Sequence, residues 1–248
     1  MLFSTYWEYR ELILTLVKTN LKLRYRNSAL GFLWSLIGPL AMFAVLIFVF
    51  MNIFRFQIPN YPAYLLTGII TWRFFASTAG SLKSIVSNAN LLKKVYFPRH
   101  ILVFSFCLFS LITSLLEFAV LVVVVAFLGA PIGPWLLLLP FLLALQFIFI
   151  YGVSLALSSI YVYFRDIENI WTIILQVGFY ATPIIYPATI LPEQYRIILH
   201  ANPMSHFVIA MRYAVIYNSP PWVSFTDPAF GTIIGMIAFT LFSIAAGY

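Results

Sequence analysis

Two charged residues, Arg73 and Glu117, interrupt long apolar stretches of this chain. Counted inward from the outer ends of those stretches, both lie about ten residues deep, roughly 15 Å at 1.5 Å per residue. An isolated charge at that depth costs on the order of 3 kcal/mol or more, so an Arg73–Glu117 pair between neighbouring helices is expected. Such a pair can act as a brace or as a contact for a passing substrate. Asp166 and Glu168, beside Arg165, are close enough to suggest acid–base chemistry, yet no histidine or further acid is near them in sequence. A structural or coupling network is the better reading. His100, His200 and His206 are widely separated, and acids to complete a metal site are scarce around them. The single cysteine, Cys107, excludes an intrachain disulfide and a multi-cysteine metal site. The chain contains no G-x-x-x-x-G-K-[ST] phosphate loop, no H-E-x-x-H and no G-x-S-x-G. No catalytic residue is assigned, and any chemistry belongs to a partner. Three rings, Trp34, Trp72 and Tyr180, fall inside apolar stretches. There they can line a path suited to the apolar faces of sugars, or form part of a lipid-facing belt.

The elements that position these residues are membrane helices. Of 248 residues 63% are apolar and only 8% charged, and the mean hydropathy is +0.99, which leaves too little polar surface for a soluble domain. The apolar residues come in blocks of about 20, the length that crosses a hydrocarbon layer. Six spans are expected, at about 30–54, 62–82, 101–127, 135–162, 168–186 and 229–248. They must be helical because backbone groups cannot be left unpaired in lipid, and the alternation of a barrel is absent. Arg10, Lys18, Lys22, Arg24 and Arg26 precede the first span, and Lys83, Lys93, Lys94 and Arg99 follow the second. The 55–61 loop holds only Arg55 and the 129–134 turn no base. Both termini are therefore expected in the cytoplasm. The segment 187–228, with Arg196 and Arg212, then falls outside, in mild conflict with that rule. The first 26 residues lack the short apolar core of a cleavable signal peptide.

Three segments are more than links. Residues 1–29 form a cytoplasmic part of their own, ahead of a single transmembrane domain over 30–248. Within it, 5–26 read as an amphipathic helix with a polar stripe of Glu8, Glu11, Thr15, Lys18, Lys22 and Arg26. Its apolar face carries Tyr6, Tyr9, Ile13, Leu16 and Leu23, with Asn20 as the exception, and Thr5 and Glu8 have capping-box spacing. It can be a surface anchor alone or also a docking face for a partner. The cytoplasmic segment 83–100 is expected to hold a short helix before Pro98 that shows Leu91, Leu92 and Val95 on one side and Lys93 and Lys94 elsewhere. Apolar residues exposed to water suggest a protein contact. The segment 187–228 is rich in proline and aromatics and reads as two short helices, near 193–201 and 204–217, dipping into the outer leaflet as a gate.

Several runs together resemble the type-2 permeases of ABC exporters: Arg24-Tyr25-Arg26-Asn27-Ser28-Ala29-Leu30-Gly31-Phe32-Leu33-Trp34 with Gly38-Pro39-Leu40; Asn90-Leu91-Leu92-Lys93-Lys94-Val95-Tyr96-Phe97-Pro98-Arg99; Tyr163-Phe164-Arg165-Asp166-Ile167; Thr182-Pro183-Ile184-Ile185-Tyr186; and Asn202-Pro203-Met204. Each is weak alone, but five in register cover nearly the whole chain. Within that family the pattern is most similar to the permeases that export lipid-linked O-antigen polysaccharide, and teichoic acid and capsule exporters share much of it.

The resemblance implies a homodimer in a bacterial inner membrane, joined to two cytoplasmic ABC ATPase subunits that bind the ATP and magnesium this chain does not. It implies that 84–97 seats in the ATPase through Leu91, Leu92, Lys93, Lys94, Tyr96 and Phe97, with a second contact at Arg165, Asp166 and Glu168. It further implies that spans one and five line the channel, that 193–217 form its outer gate, and that the cargo is a glycan on a polyprenyl pyrophosphate. The family usually continues into a short basic tail, whereas this sequence stops at Gly247-Tyr248. Rival readings are the same family with another cargo, a channel or secondary transporter, for which inverted halves are missing, and a membrane enzyme, for which clustered acids or histidines are missing.

Overall fold

The computed structural model describes residues 2–26, 31, 33–55, 58–129, 133–190, 192–220 and 230–247. Residues 27–30 and 32 of the first motif, 130–132 of the turn after the third block, and Pro221 and Pro228 lie outside the described residues.

The described residues form helices and their connections, without strands. Two helices precede the first apolar block, α1 (Leu2–Glu8) and α2 (Arg10–Tyr25), followed by α3 (Leu33–Ile47), which continues as a π-helix over Phe48–Ile53. Next come α4 (Tyr61–Ala76) and three short pieces, α5 (Thr78–Ser81), α6 (Ser84–Ser87) and α7 (Ala89–Lys94). The long helices α8 (His100–Phe127) and α9 (Leu139–Tyr163) precede α10 (Ile167–Ala181), and α11 (Arg196–Ala201), α12 (Pro203–Val215) and α13 (Phe230–Gly247) complete the order. Among the described residues three stretches are long and apolar enough to cross a membrane: Leu33–Ile53, His100–Phe127 and Pro134–Tyr163. By contrast α4 and α10, with 16 and 15 residues, reach only ~22–24 Å at 1.5 Å per residue.

The expected fifth span ends early. Pro183 has no N–H and its ring disfavours helical backbone at the residue before it, so Thr182 is extended and the helix stops at Ala181. The second expected span breaks at Ser77.

Helix α4 is the centre of the molecule. Of its 16 residues 13 are buried, packed by α8, α12 and α3. Polar side chains inside this core bond to backbone: Thr67 and Thr71 donate to Ala63 O and Thr67 O, each at 2.8 Å, and Gln146 Nε2 of α9 donates to Thr71 O at 2.9 Å. Around it α9 and α13 lie closest, because Gly152 leaves the room that a Cβ, 2.6 Å from Ser243 backbone, would fill. Helix α2 packs on α8 through Ile13 and Val17 against Ile101, Leu102 and Phe109. The apolar face is thus centred on Ile13 and Val17, and Leu23, expected on it, is exposed. Thr5 lies inside α1 rather than at a cap, because the helix already begins at Leu2.

Candidate functional site

Helices α3, α4 and α10 bound an open groove of about 340 Å³. Met42 of α3 and Ile69, Trp72 and Arg73 of α4 form one side; Thr172, Leu175, Gln176, Phe179 and Tyr180 of α10 form the other. At about 100° per residue α10 has three faces. Leu175 and Phe179 are buried against α4, flanked by the half-buried Trp171 and Gly178. The Phe179 and Trp72 rings meet edge to face at 6.1 Å, and Trp72 lies where a Cβ on Gly178 would sit 2.8 Å away. A second face carries Asn169, Thr172, Gln176 and Tyr180, all exposed, and a third carries Ile170, Ile173, Ile174 and Val177, also exposed. The third face suits lipid or another apolar surface. The second does not, since amide and phenol groups lose hydrogen-bonding partners in hydrocarbon, and three of its residues, Thr172, Gln176 and Tyr180, line the groove.

Arg73 stands in the wall of that groove. Its Nη2 donates to Glu117 Oε1 at 3.3 Å and to Ser35 O at 3.4 Å. Gly38 of α3 lies beside it, where a Cβ would be in ordinary contact with Nη1 at 3.6 Å. The Arg73 side chain is 35% exposed and Glu117 only 6%, so the cation faces the groove while the carboxylate offsets its charge from within. The pair ties α3, α4 and α8 together at one level. It offers guanidinium hydrogen bonds to hydroxyl or phosphate oxygens without an unpaired charge in the apolar layer.

The three sequence-selected rings are not brought together. Tyr180 lines the groove and is 68% exposed. Trp72 also lines it but is buried, wedged edge-on between Phe75 and Phe179, so it supports the wall rather than presenting a face. Trp34 sits on the open side of α3, outside the groove.

In the segments expected to lie in the cytoplasm the exposed set differs from expectation. Leu91 and Leu92 are half-buried against the α2–α8 cluster, and Phe97 is buried in it. Helix α7 ends at Lys94 and the extended Val95 directs the chain back to α8, which leaves Lys93, Lys94, Val95 and the 98% exposed Tyr96 outward. Arg165 and Asp166 are exposed, but Glu168 is engaged within the chain. Lys83 Nζ lies 2.6 Å from Glu168 Oε1, and Tyr161 Oη donates to Oε2 at 3.4 Å. The hydrogen bond and the charge of Glu168 hold the Lys83 ammonium above its ordinary pKa.

The sequence reading missed a fourth feature, a carbonyl-capping knot at the other end of α10. Unwinding at Thr182–Tyr186 leaves carbonyls without helical partners, which a buried site must satisfy. Arg212 of α12 does so while itself buried: Nη1 donates to Pro183 O at 2.6 Å, Nη2 to Ile184 O at 2.8 Å and Nε to Tyr64 O at 3.2 Å. Its guanidinium carbon lies 3.3 Å from the Tyr64 ring centroid. Tyr61 and Tyr64 donate to Ile185 O and Tyr186 O at 3.1 and 3.0 Å, and Asn202 Nδ2 donates to Thr182 Oγ1 at 2.8 Å while Oδ1 caps α12 at Met204. Gly68 admits the guanidinium, which would be 2.7 Å from a Cβ. The short helices near 193–201 and 204–217 form, but α12 is buried on α4, α9 and α13. The exposed part is the turn at Glu193–Tyr195 with Ile197 and Ile198 of α11. Among the described residues no three His, Cys, Asp or Glu side chains are placed to hold a metal ion.

Comparison with known proteins adds a family. Residues 11–216 match the model for "ABC-2 type transporter". The chain is 35% identical over 204 residues, 82% of its length and 79% of the relative's, to the O-antigen export system permease protein RfbA of Klebsiella pneumoniae. It is also 35% identical over 219 residues, 86% and 82% of the two lengths, to the protein of that name from Myxococcus xanthus. The polysialic acid transport protein KpsM of Escherichia coli is 24% identical over 206 residues, 79% of this chain and 78% of that protein.

Proposed function

This chain belongs to the ABC-2 type transporter family, and we propose that it is the membrane-spanning permease of an ATP-driven exporter of surface polysaccharide, with the α3–α4–α10 groove as its share of the path. The observation that carries the reading is the polar face of α10, whose Thr172, Gln176 and Tyr180 line the groove opposite Arg73. A saccharide chain is rich in hydroxyls and has apolar ring faces. A wall of amide, hydroxyl, phenol and paired guanidinium can exchange hydrogen bonds with it without fixing it in one place.

In this reading the chain sits in a bacterial inner membrane with six spans and both termini in the cytoplasm. Two copies pair through the open faces of α3 and α10, so that their grooves join. Two cytoplasmic ABC ATPases, which bind ATP and magnesium, seat on Lys93, Lys94, Val95 and Tyr96 with Arg165 and Asp166. The exposed α11 turn forms the outer rim, anchored by α12. The cargo is O-antigen-type glycan on a polyprenyl pyrophosphate, for which Arg73 and the inner-mouth bases supply a cationic entry. Similarity to a polysialic acid transport protein keeps a capsule-type polymer as the second cargo.

Deleting the gene in its native host tests this. The expected result is loss of one surface polysaccharide with intracellular build-up of its lipid-linked precursor. An unaltered cell surface would contradict the reading. Reversing Lys93 and Lys94 to Glu is expected to lower the amount of ATPase that co-purifies while leaving membrane insertion intact.

A further inference from the structure

Helix α10 is thinly packed along its length, so a cycle of ATP hydrolysis below the membrane needs some route to it. We infer that Lys83 and Glu168 are positioning residues that latch the first turn of α10 to the cytoplasmic elbow α5–α6, so that movement of that elbow is delivered to the polar wall of the groove. The inference rests on the conduit reading above.

The placement of the two residues carries it. Lys83 stands between α5 and α6, one short helix ahead of α7 with its exposed Lys93 and Lys94. Glu168 stands in the first turn of α10. Their side chains meet at 2.6 Å, with Tyr161 of α9 on the second carboxylate oxygen. Three residues further along α10, Trp171 Nε1 donates to the buried Thr78 Oγ1 of α5 at 3.0 Å, and the ring meets Phe75 at 6.0 Å. Above this point only Leu175 and Phe179 of α10 are buried, until the Arg212 knot holds the chain just past its end. The helix is therefore suspended between a cytoplasmic and an external attachment. A shift of the elbow must draw its lower end along or break these contacts.

The two attachments differ in kind. Arg212 is buried and its loss removes fold stability. The Lys83–Glu168 pair is partly exposed, its side chains by 53% and 37%, and pairs that open to water add little to folding. A pair of that sort is dispensable for the fold, and its effect is on how one element follows another.

The test compares Lys83→Glu, Glu168→Lys, the double exchange and Lys83→Arg in the complete exporter of the native host, with polymer export and ATP hydrolysis measured on the same preparations. Each single reversal is expected to lower polymer exported per ATP hydrolysed about fivefold or more, at unchanged membrane level and unfolding midpoint. The double exchange restores most of it and Lys83→Arg keeps it. Single reversals that export as the unmodified chain does, or a double exchange no better than the singles, would overturn the latch alone. Absence of export by the unmodified chain overturns the conduit reading and the latch with it.

Discussion

Helices α4 and α10 face each other across one groove, and they differ in almost everything else. Helix α4 is buried on nearly every side, and its threonines bond within the helix while Gln146 reaches it from α9. Helix α10 buries two residues, half-buries five more and leaves the other eight exposed, sorted into a polar and an apolar face. A wall that is packed all round has no freedom to move without breaking the core. A wall held at its two ends does. In the conduit reading proposed above, fold and passage are divided between the two sides of the groove: α4 would serve the stability of the molecule and α10 the contact with the cargo.

Substitutions can break that division. The largest effect is expected at the knot, where Arg212→Leu strips three carbonyls of a buried charged donor and costs about 3 kcal/mol or more. The unfolding midpoint in detergent should fall sharply and export with it, and an unchanged midpoint would remove the knot from the account. Glu117→Gln comes next. It leaves Arg73 without its counter-charge, and because that guanidinium is partly exposed the cost is discounted to about 1–2 kcal/mol. A lower midpoint, recovered in part when Arg73→Gln is added, is the expected pattern in a double-mutant cycle. Gln176→Leu sharpens the comparison from the other side: stability stays within about 0.5 kcal/mol, while export of polymer from whole cells drops. Val177→Leu, one residue away on the apolar face, is expected to change neither quantity.

Counting residues inward along two apolar blocks put Arg73 and Glu117 at one depth, and the structure sets them 3.3 Å apart. That worked because a charge in an apolar block has few places to go. The rotation of the N-terminal helix was legible in most part: its polar stripe is outward and Tyr6, Tyr9, Ile13 and Leu16 pack inward, but Val17 joins them and Leu23 does not, since the ridge of α8 decides which residues fit. The exposure expected of Leu91 and Leu92 is reduced for a similar reason, as both find partial cover on α2 and α8 that local sequence does not reveal. Arg212 was hidden by the assignment of 187–228 to an external loop. A signal existed: Pro183 strands carbonyls in an apolar setting, and Arg212 is a cation in an apolar, aromatic helix. Which faces of α10 turn toward the groove could not be read without α4 beside it, although the spacing of Thr172, Gln176 and Tyr180 at every fourth residue is written in the chain.

The most direct test of the conduit is thiol accessibility along α10. With the buried Cys107 replaced by Ser, single cysteines are placed at 169, 172, 176 and 180 and, separately, at 170, 173, 174 and 177, and labelled in intact membranes with a small charged thiol reagent that does not enter lipid. The account predicts labelling of the first set, reduced while polymer is being exported, and little labelling of the second. Equal labelling of both sets, or labelling of the second alone, would contradict a polar path along this helix.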